Sequence, residues 1–283
     1  MRFLTVSIFL LGSVMSTMAF AQKPLLTFFT ADANGTYFVM GADIEKACTM
    51  FSIRVESTEG SLANINFLIK PPVVEMGHRF AMVQRDVLTI IPQNTRKNKL
   101  KEITTIFNEE IIVIVNKKSK IESLSDLHNK RVSVGLPYSG NWISANIIKN
   151  KMQIKWLAVE KPVNESILEV LTGELDAMFL VSGTPNKMLR DISQSMNAYI
   201  KIIPITNTFK MYSPATINED AYEWQNNTIN TVSTEAVLIT ANDVPDAVAN
   251  EVLICINANV KELRKYGHRK WREVKILKRL KNE

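Results

Sequence analysis

Five β-branched aliphatic residues stand in a row at Ile111-Ile112-Val113-Ile114-Val115. A strand with one wet face alternates polar and apolar residues, so an unbroken run like this reads as a strand buried on both faces. Covering both faces of a sheet takes helices on each side, which points to a layered α/β architecture. The rest of the chain agrees. Short β-like runs at residues 25–30, 53–56, 80–84, 131–134, 154–159, 177–181 and 199–205 alternate with helical patterns. One helix follows Thr36, with Met40, Ile44, Ala47, Cys48 and Phe51 on its apolar face; others span about 62–69, 142–151 and 164–173, and one begins near Val244. Pro71-Pro72 ends the second, and Pro185 is placed to open a further one. The stretch between Ile205 and Val244 reads as irregular. This alternation predicts mostly parallel sheets with flanking helices, in two consecutive blocks with a cleft between them.

Composition excludes other classes. With 46% hydrophobic and 22% charged residues, the chain is neither disordered nor a multi-span membrane protein. The formal charge is +6, yet the segment from Lys261 to Glu283 holds ten Lys/Arg against three acids. The excess is a tail property, so a nucleic-acid-binding surface over the whole protein is not expected.

The first residues read as an address. Arg2 precedes an apolar run to Val14, and Ala19-Phe20-Ala21 fits a small-x-small cleavage site. Residues 1–21 are expected to be a signal peptide cleaved after Ala21, exporting the mature chain. Two cysteines, Cys48 and Cys255, would then meet an oxidising compartment. Each lies in an apolar run, so a bridge and a pair of small core residues are both open readings.

Three polar turns each follow a strand and precede a helix: Asn34-Gly35-Thr36-Tyr37, Ser57-Thr58-Glu59-Gly60-Ser61 and Tyr138-Ser139-Gly140-Asn141. Exposed N–H groups at a helix start make an anion site, while the same residues also serve as plain helix caps. Three such turns divided between two blocks favour a carboxylate-sized ligand. Catalytic patterns are missing: His78, His128 and His268 form no metal-ligand pair, and there is no nucleophile elbow or phosphate-binding loop. No catalytic residue, metal or cofactor is expected. In the tail, Leu263, Tyr266, Trp271, Val274, Leu277 and Leu280 form a helical stripe among basic residues. It reads either as a docking helix or as a terminal helix packed on its own block with a solvated basic face.

At these motifs the chain resembles the TAXI family of solute receptors, which serve TRAP (tripartite ATP-independent periplasmic) transporters. The matching stretches are Asn34-Gly35-Thr36-Tyr37 with Gly41; Arg54-Val55-Glu56-Ser57-Thr58-Glu59-Gly60-Ser61 with Asn64; Val83-Gln84 with Asp86; Ser123-Leu124-Ser125-Asp126-Leu127 leading to Lys130-Arg131-Val132-Ser133-Val134-Gly135; Ser139-Gly140; and Gly173-Glu174-Leu175-Asp176-Ala177 leading to Ser182-Gly183-Thr184-Pro185-Asn186. The resemblance implies a two-lobed, type II periplasmic-binding-protein fold. Residues 22–107 plus 225–283 would form lobe I and residues 108–224 lobe II, with crossover segments near 105–110 and 203–232. It implies a non-enzymatic receptor that shuts its lobes on a small organic anion, an acidic amino acid or a dicarboxylate such as glutamate or 2-oxoglutarate, and hands it to TRAP membrane subunits. The ligand shell would draw on Gly35, Thr36, Tyr37, Ser57, Ser61, Asn64 and Gln84 from one lobe and Ser139, Gly140, Ser182 and Gly183 from the other. Where the family has glycine, Glu59 would repel a carboxylate if it faced inward, and Arg85 is either a carboxylate partner or a solvated side chain. An exported sensing or interaction module that keeps this fold without transport is the alternative.

Overall fold

In the computed structural model, residues 23–280 are described apart from 73, 207, 208, 276, 277 and 279. The signal-peptide reading and Leu277 of the tail stripe lie outside the described residues. Chain order begins β1 (Leu25–Phe29), α1 (Thr36–Ala47), β2 (Ser52–Glu56), α2 (Ser61–Ile69), β3 (His78–Gln84), α3 (Arg85–Ile90), α4 (Gln93–Lys99) and β4 (Leu100–Asn116). It continues with β5 (Arg131–Ser133), α5 (Gly140–Met152), β6 (Leu157–Val159), α6 (Val163–Thr172), β7 (Ala177–Ser182) and α7 (Lys187–Arg190). The last elements are β8 (Ile200–Ile203), β9 (Ser213–Ile217), β10 (Ile229–Ala241) and α8 (Asp246–Tyr266).

One ten-stranded sheet runs in the order β2-β1-β3-β10-β4-β7-β5-β6, with β8 added to β4 and β9 to β10. The α/β class holds, but the sheet is mixed rather than mostly parallel. Parallel pairing is confined to β1 with β2 and β3, and to β5 with β6 and β7. Every pair that includes β4 or β10 is antiparallel, because these two long strands run in opposite directions through the middle of the sheet. β10 lies in the stretch read as irregular, and β4 starts well before Ile111. Two register shifts hide the early part of β4: Ala236 pairs Phe107 and Val237 pairs Thr105, then Leu238 pairs Thr104 and Ile239 pairs Glu102. Ile106 and Ile103 are the extra residues, and buried side chains three apart break the period of two that marks a strand.

The core divides where the long strands cross. One cluster gathers β1, β3, the early part of β4, the late part of β10 and the buried faces of α1 and α8. Beyond it, Ile111, Val113 and Val115 enter a second cluster, while Ile112 and Ile114 enter a third on the opposite face. The five-residue run is therefore a strand covered on both sides, each residue fully buried. α5 spans the junction: Ile143 sits in the first cluster, and Ala145 and Ile148 in the second.

Cys48 and Cys255 are both core residues and a disulfide, their Cα atoms 5.8 Å apart and 207 positions apart in sequence. The bridge fastens α1 to α8, and removing a native disulfide of this kind costs about 2–5 kcal/mol. The tail is not one helix. α8 ends at Gly267, and a 3-10 turn at Arg269–Arg272 follows. Asp43 of α1 accepts the backbone N–H of His268 (2.7 Å) and the indole N–H of Trp271 (2.8 Å), which seats Trp271 in the first cluster. Leu263 and Val274 are buried with it, and Leu280 packs against the same cluster. The packed reading of the tail is the one observed, with Tyr266 left exposed.

Candidate functional site

Between the two groups of parallel strands lies a cavity of about 200 Å³. Its walls are the starts of helices. Gly35, Thr36 and Tyr37 begin α1; Gly60 and Ser61 begin α2; Ser139, Gly140 and Asn141 begin α5; and Pro162, Val163 and Asn164 begin α6. Such ends collect because each helix follows a strand and leaves its N-terminal turn beyond the strand's carboxyl end. Each end carries unpaired N–H groups and a partial positive charge.

The ends differ in how they are satisfied. At α2 the N–H groups of Leu62 and Ala63 donate across the gap to the carbonyl of Tyr138 (3.1 and 3.4 Å). At α5 the Ser139 hydroxyl accepts the N–H of Trp142 (3.1 Å). Gly35 and Pro162 provide no side-chain cap to α1 or α6. Those two turns keep donors for a ligand.

Eight residues expected in a ligand shell line the cavity: Gly35, Thr36, Tyr37, Ser61, Gln84, Ser139, Gly140 and Ser182. Three do not. Ser57 is exposed and spends its hydroxyl on the Ala31 carbonyl (2.9 Å). Asn64 is fully buried behind the wall, donating to the carbonyls of Thr30 (2.6 Å) and Met82 (2.8 Å) while accepting from the Thr58 hydroxyl (2.6 Å). It holds the turn that shapes the wall. Gly183 is covered by the Lys270 side chain and Thr36.

Direct contacts already join the two sides. The hydroxyls of Thr36 and Ser182 lie 3.2 Å apart. Gly60 has φ +121°, a region that favours glycine, and faces Ser139 and Gly140 at 3.4 Å from where a Cβ would stand. Gly140 is tighter: a Cβ there would sit 2.3 Å from the Gln84 side chain. Below this contact Asp86 accepts the hydroxyls of Ser144 (2.6 Å) and Tyr212 (2.8 Å), which both come from the other side. Burial raises the Asp86 carboxyl above its ordinary range, and these hydrogen bonds partly offset the shift.

The charge of the cavity is the opposite of expectation. Asp32, Glu59 and Glu109 line it, and no Lys or Arg does among the described residues. Arg85 does not line the cavity; it stays partly exposed and ion-paired. It is held by Glu235 (2.9 Å), Glu102 (2.7 Å) and the Thr105 hydroxyl (3.2 Å), all on β4 and β10. Glu109 is 3% exposed and accepts the Tyr37 hydroxyl at 2.5 Å. Burial, with the nearby Asp86 and Glu110 charges, pushes its carboxyl up to about 8. Next to it, Glu110 accepts Lys270 Nζ (2.8 Å) and the Thr184 N–H (2.8 Å). Lys270, read from sequence as part of a basic face, is 2% exposed. Sequence reasoning missed Glu109, Glu110 and Lys270. Two adjacent acids ahead of an apolar run carry no local signal of burial, and only the tertiary crossing of β4 buries Glu109 and Glu110.

Among the described residues no helix is long and apolar enough to cross a membrane. Several solved structures share the fold at low identity. A substrate-binding protein of an amino acid ABC transporter is 13% identical with a TM-score of 0.53, the match covering 88% of this chain and 96% of that one. The GluR0 ligand-binding core from Nostoc punctiforme in complex with L-glutamate is also 13% identical, with a TM-score of 0.52 over 86% of this chain and 98% of that one. MatC from Rhodopseudomonas palustris with bound malate has a TM-score of 0.58 at 10% identity, covering 85% of this chain and 86% of that one. Identities this low speak for the fold alone, a periplasmic-binding-protein-like α/β architecture. Residues 28–283, nearly the whole described chain, match one family over their full length, and the chain belongs to the NMT1-like family.

Proposed function

We propose that this chain is an exported receptor, freed of residues 1–21 after Ala21, that captures a small carboxylate-bearing solute in the periplasm for the membrane subunits of a TRAP-type transporter. Residues 22–107 with 225–283 and residues 108–224 are the lobes that shut on the solute, hinging where β4 and β10 cross between them. The observation that carries this reading is the cavity itself, walled by helix starts from both sides, of which α1 and α6 have neither a side-chain cap nor a backbone hydrogen bond across the gap. Its size supports a solute of amino-acid scale, since sites for drug-sized ligands run to roughly 300–1,000 Å³. A buried disulfide fits an oxidising compartment. The narrower class of acidic amino acids and dicarboxylates comes from the likeness to TAXI receptors.

Calorimetry and thermal shift against a panel of amino acids and dicarboxylates test the proposal. A true ligand at 100 times its Kd stabilises the protein by about 2.7 kcal/mol. Gly140→Ala, whose methyl group would push the Gln84 amide out of its place in the cavity wall, is expected to weaken binding about tenfold. No stabilisation by any member of the panel defeats the proposal.

A further inference from the structure

The acids of the cavity are not arranged for a dianion. Glu109 faces it from β4 with one carboxyl oxygen, Oε2, taken by the Tyr37 hydroxyl of α1. Its other oxygen, Oε1, has no hydrogen-bond partner among the described residues, and it is not one of the sealed-in atoms that lack one, so it keeps access to the open volume although the residue is only 3% exposed. An acceptor left open toward a cavity in an otherwise buried side chain is a place for a donor. The charged groups around it favour a cationic donor. Asp86 on α3 and Glu110 on β4 both act on Glu109 as negative neighbours. The cation that acts on it, Lys270 in the C-terminal turn, is already bound at 2.8 Å to both Glu110 and Glu273. At the cavity wall stand Asp32 and Glu59; Glu59 has no ion pair among the described residues.

We infer that Glu109 is the specificity-determining residue of the cavity, receiving on its free carboxyl oxygen a protonated nitrogen of the solute, so that the cavity selects amine-bearing carboxylates over their amine-free counterparts. This rests on the reading of the cavity as a solute site. It divides the labour in space: the uncapped starts of α1 and α6 take the carboxylate, and Glu109 takes the ammonium. Tyr37 is a positioning residue that holds the carboxyl so that Oε1 turns to the open side. In the empty protein at neutral pH burial keeps a proton on Glu109. When an ammonium group arrives, the carboxylate form is the one it stabilises, so that proton leaves to solvent and an ion pair forms in its place.

The test pairs each of several α-amino acids, acidic, amide and basic, with the 2-oxo acid of the same skeleton. Binding is measured by calorimetry at pH 7 in two buffers of different ionisation enthalpy. The expected result is that the amino acid of the best pair binds at least about tenfold more tightly than its 2-oxo acid, as for a hydrogen bond to a buried charge, and releases close to one proton per site. Glu109→Gln should bring the two members of the pair to within about threefold of each other and abolish proton release. The proton count on the unaltered protein stands even if that variant folds poorly. Equal or tighter binding of the 2-oxo acid, proton uptake in place of release, or an unchanged preference in Glu109→Gln overturns the inference while leaving solute capture in place. If neither amino acids nor oxo acids bind, solute capture falls and this inference falls with it.

Discussion

The contact between the two sides of the molecule has a filled part and an open part, built from the same kinds of residue. In the filled part Asp86 meets Ser144 and Tyr212, and Glu110 meets Lys270 and the Thr184 N–H. Each acid there finds its donors within the chain. In the open part Glu109 has a donor for one oxygen only, and Glu59 has no ion pair among the described residues. The difference teaches that a buried acid is not by itself a mark of function. What separates a structural acid from one that waits for a solute is whether its hydrogen-bonding capacity is already used.

The largest effect that would break this comparison is expected on the filled side. Lys270→Met leaves Glu110 buried beside Glu109 and Asp86 with no cation, and breaking a buried pair in this way costs about 3–5 kcal/mol, to be read by chemical denaturation. If the loss is under about 1 kcal/mol, the pair is not the closed contact described here. Next comes Asp86→Ala, which strands the Ser144 and Tyr212 hydroxyls and is expected to cost about 1–3 kcal/mol, mostly as faster separation of the two sides in hydrogen exchange.

Taken per pH unit, the smallest effect sharpens the open side. The Glu109 carboxyl is held near 8 in the folded protein, well above the ordinary 4.5 of the unfolded chain. The folded state therefore keeps a proton that the unfolded state gives up, so stability should fall as pH rises from about 4.5 to about 8 and level off above that. A single group of this kind contributes at most about 1.4 kcal/mol per pH unit. Asp86, also raised, adds to the fall in the same direction from lower pH. Melting curves of Glu109→Gln across that window should show a shallower slope than the parent, and an unchanged slope would mean that another group is responsible.

Much of this was legible in the sequence. The strands and helices that follow Leu25, the turns at Gly35, Gly60 and Gly140, and the double burial of residues 111–115 all rest on local periodicity and local caps. β10 was not legible, since its polar residues Thr231, Ser233 and Thr234 are buried by a neighbouring strand and so mask the strand's buried character. Arg79 shows the same limit from another direction. From sequence it is an oddity ahead of a strand; in the fold it caps the end of α2, donating to the carbonyls of Phe67 (3.0 Å) and Lys70 (2.9 Å) beside Asp243. Within the candidate site, the glycines and hydroxyls at helix starts could be picked out because they obey capping rules. Glu109 and Lys270 obey no local rule and have no such signature.

By itself the sequence determined which segments bury which faces, because hydrophobic spacing acts over a few residues and needs no distant partner. Which charges end up inside, and which of them meet a partner, was decided only in the tertiary structure. Lys270 lies 160 positions from Glu110. Charges are costly to bury alone, so the charge of the cavity follows from pairings that form only when the tail folds back onto the crossing strands.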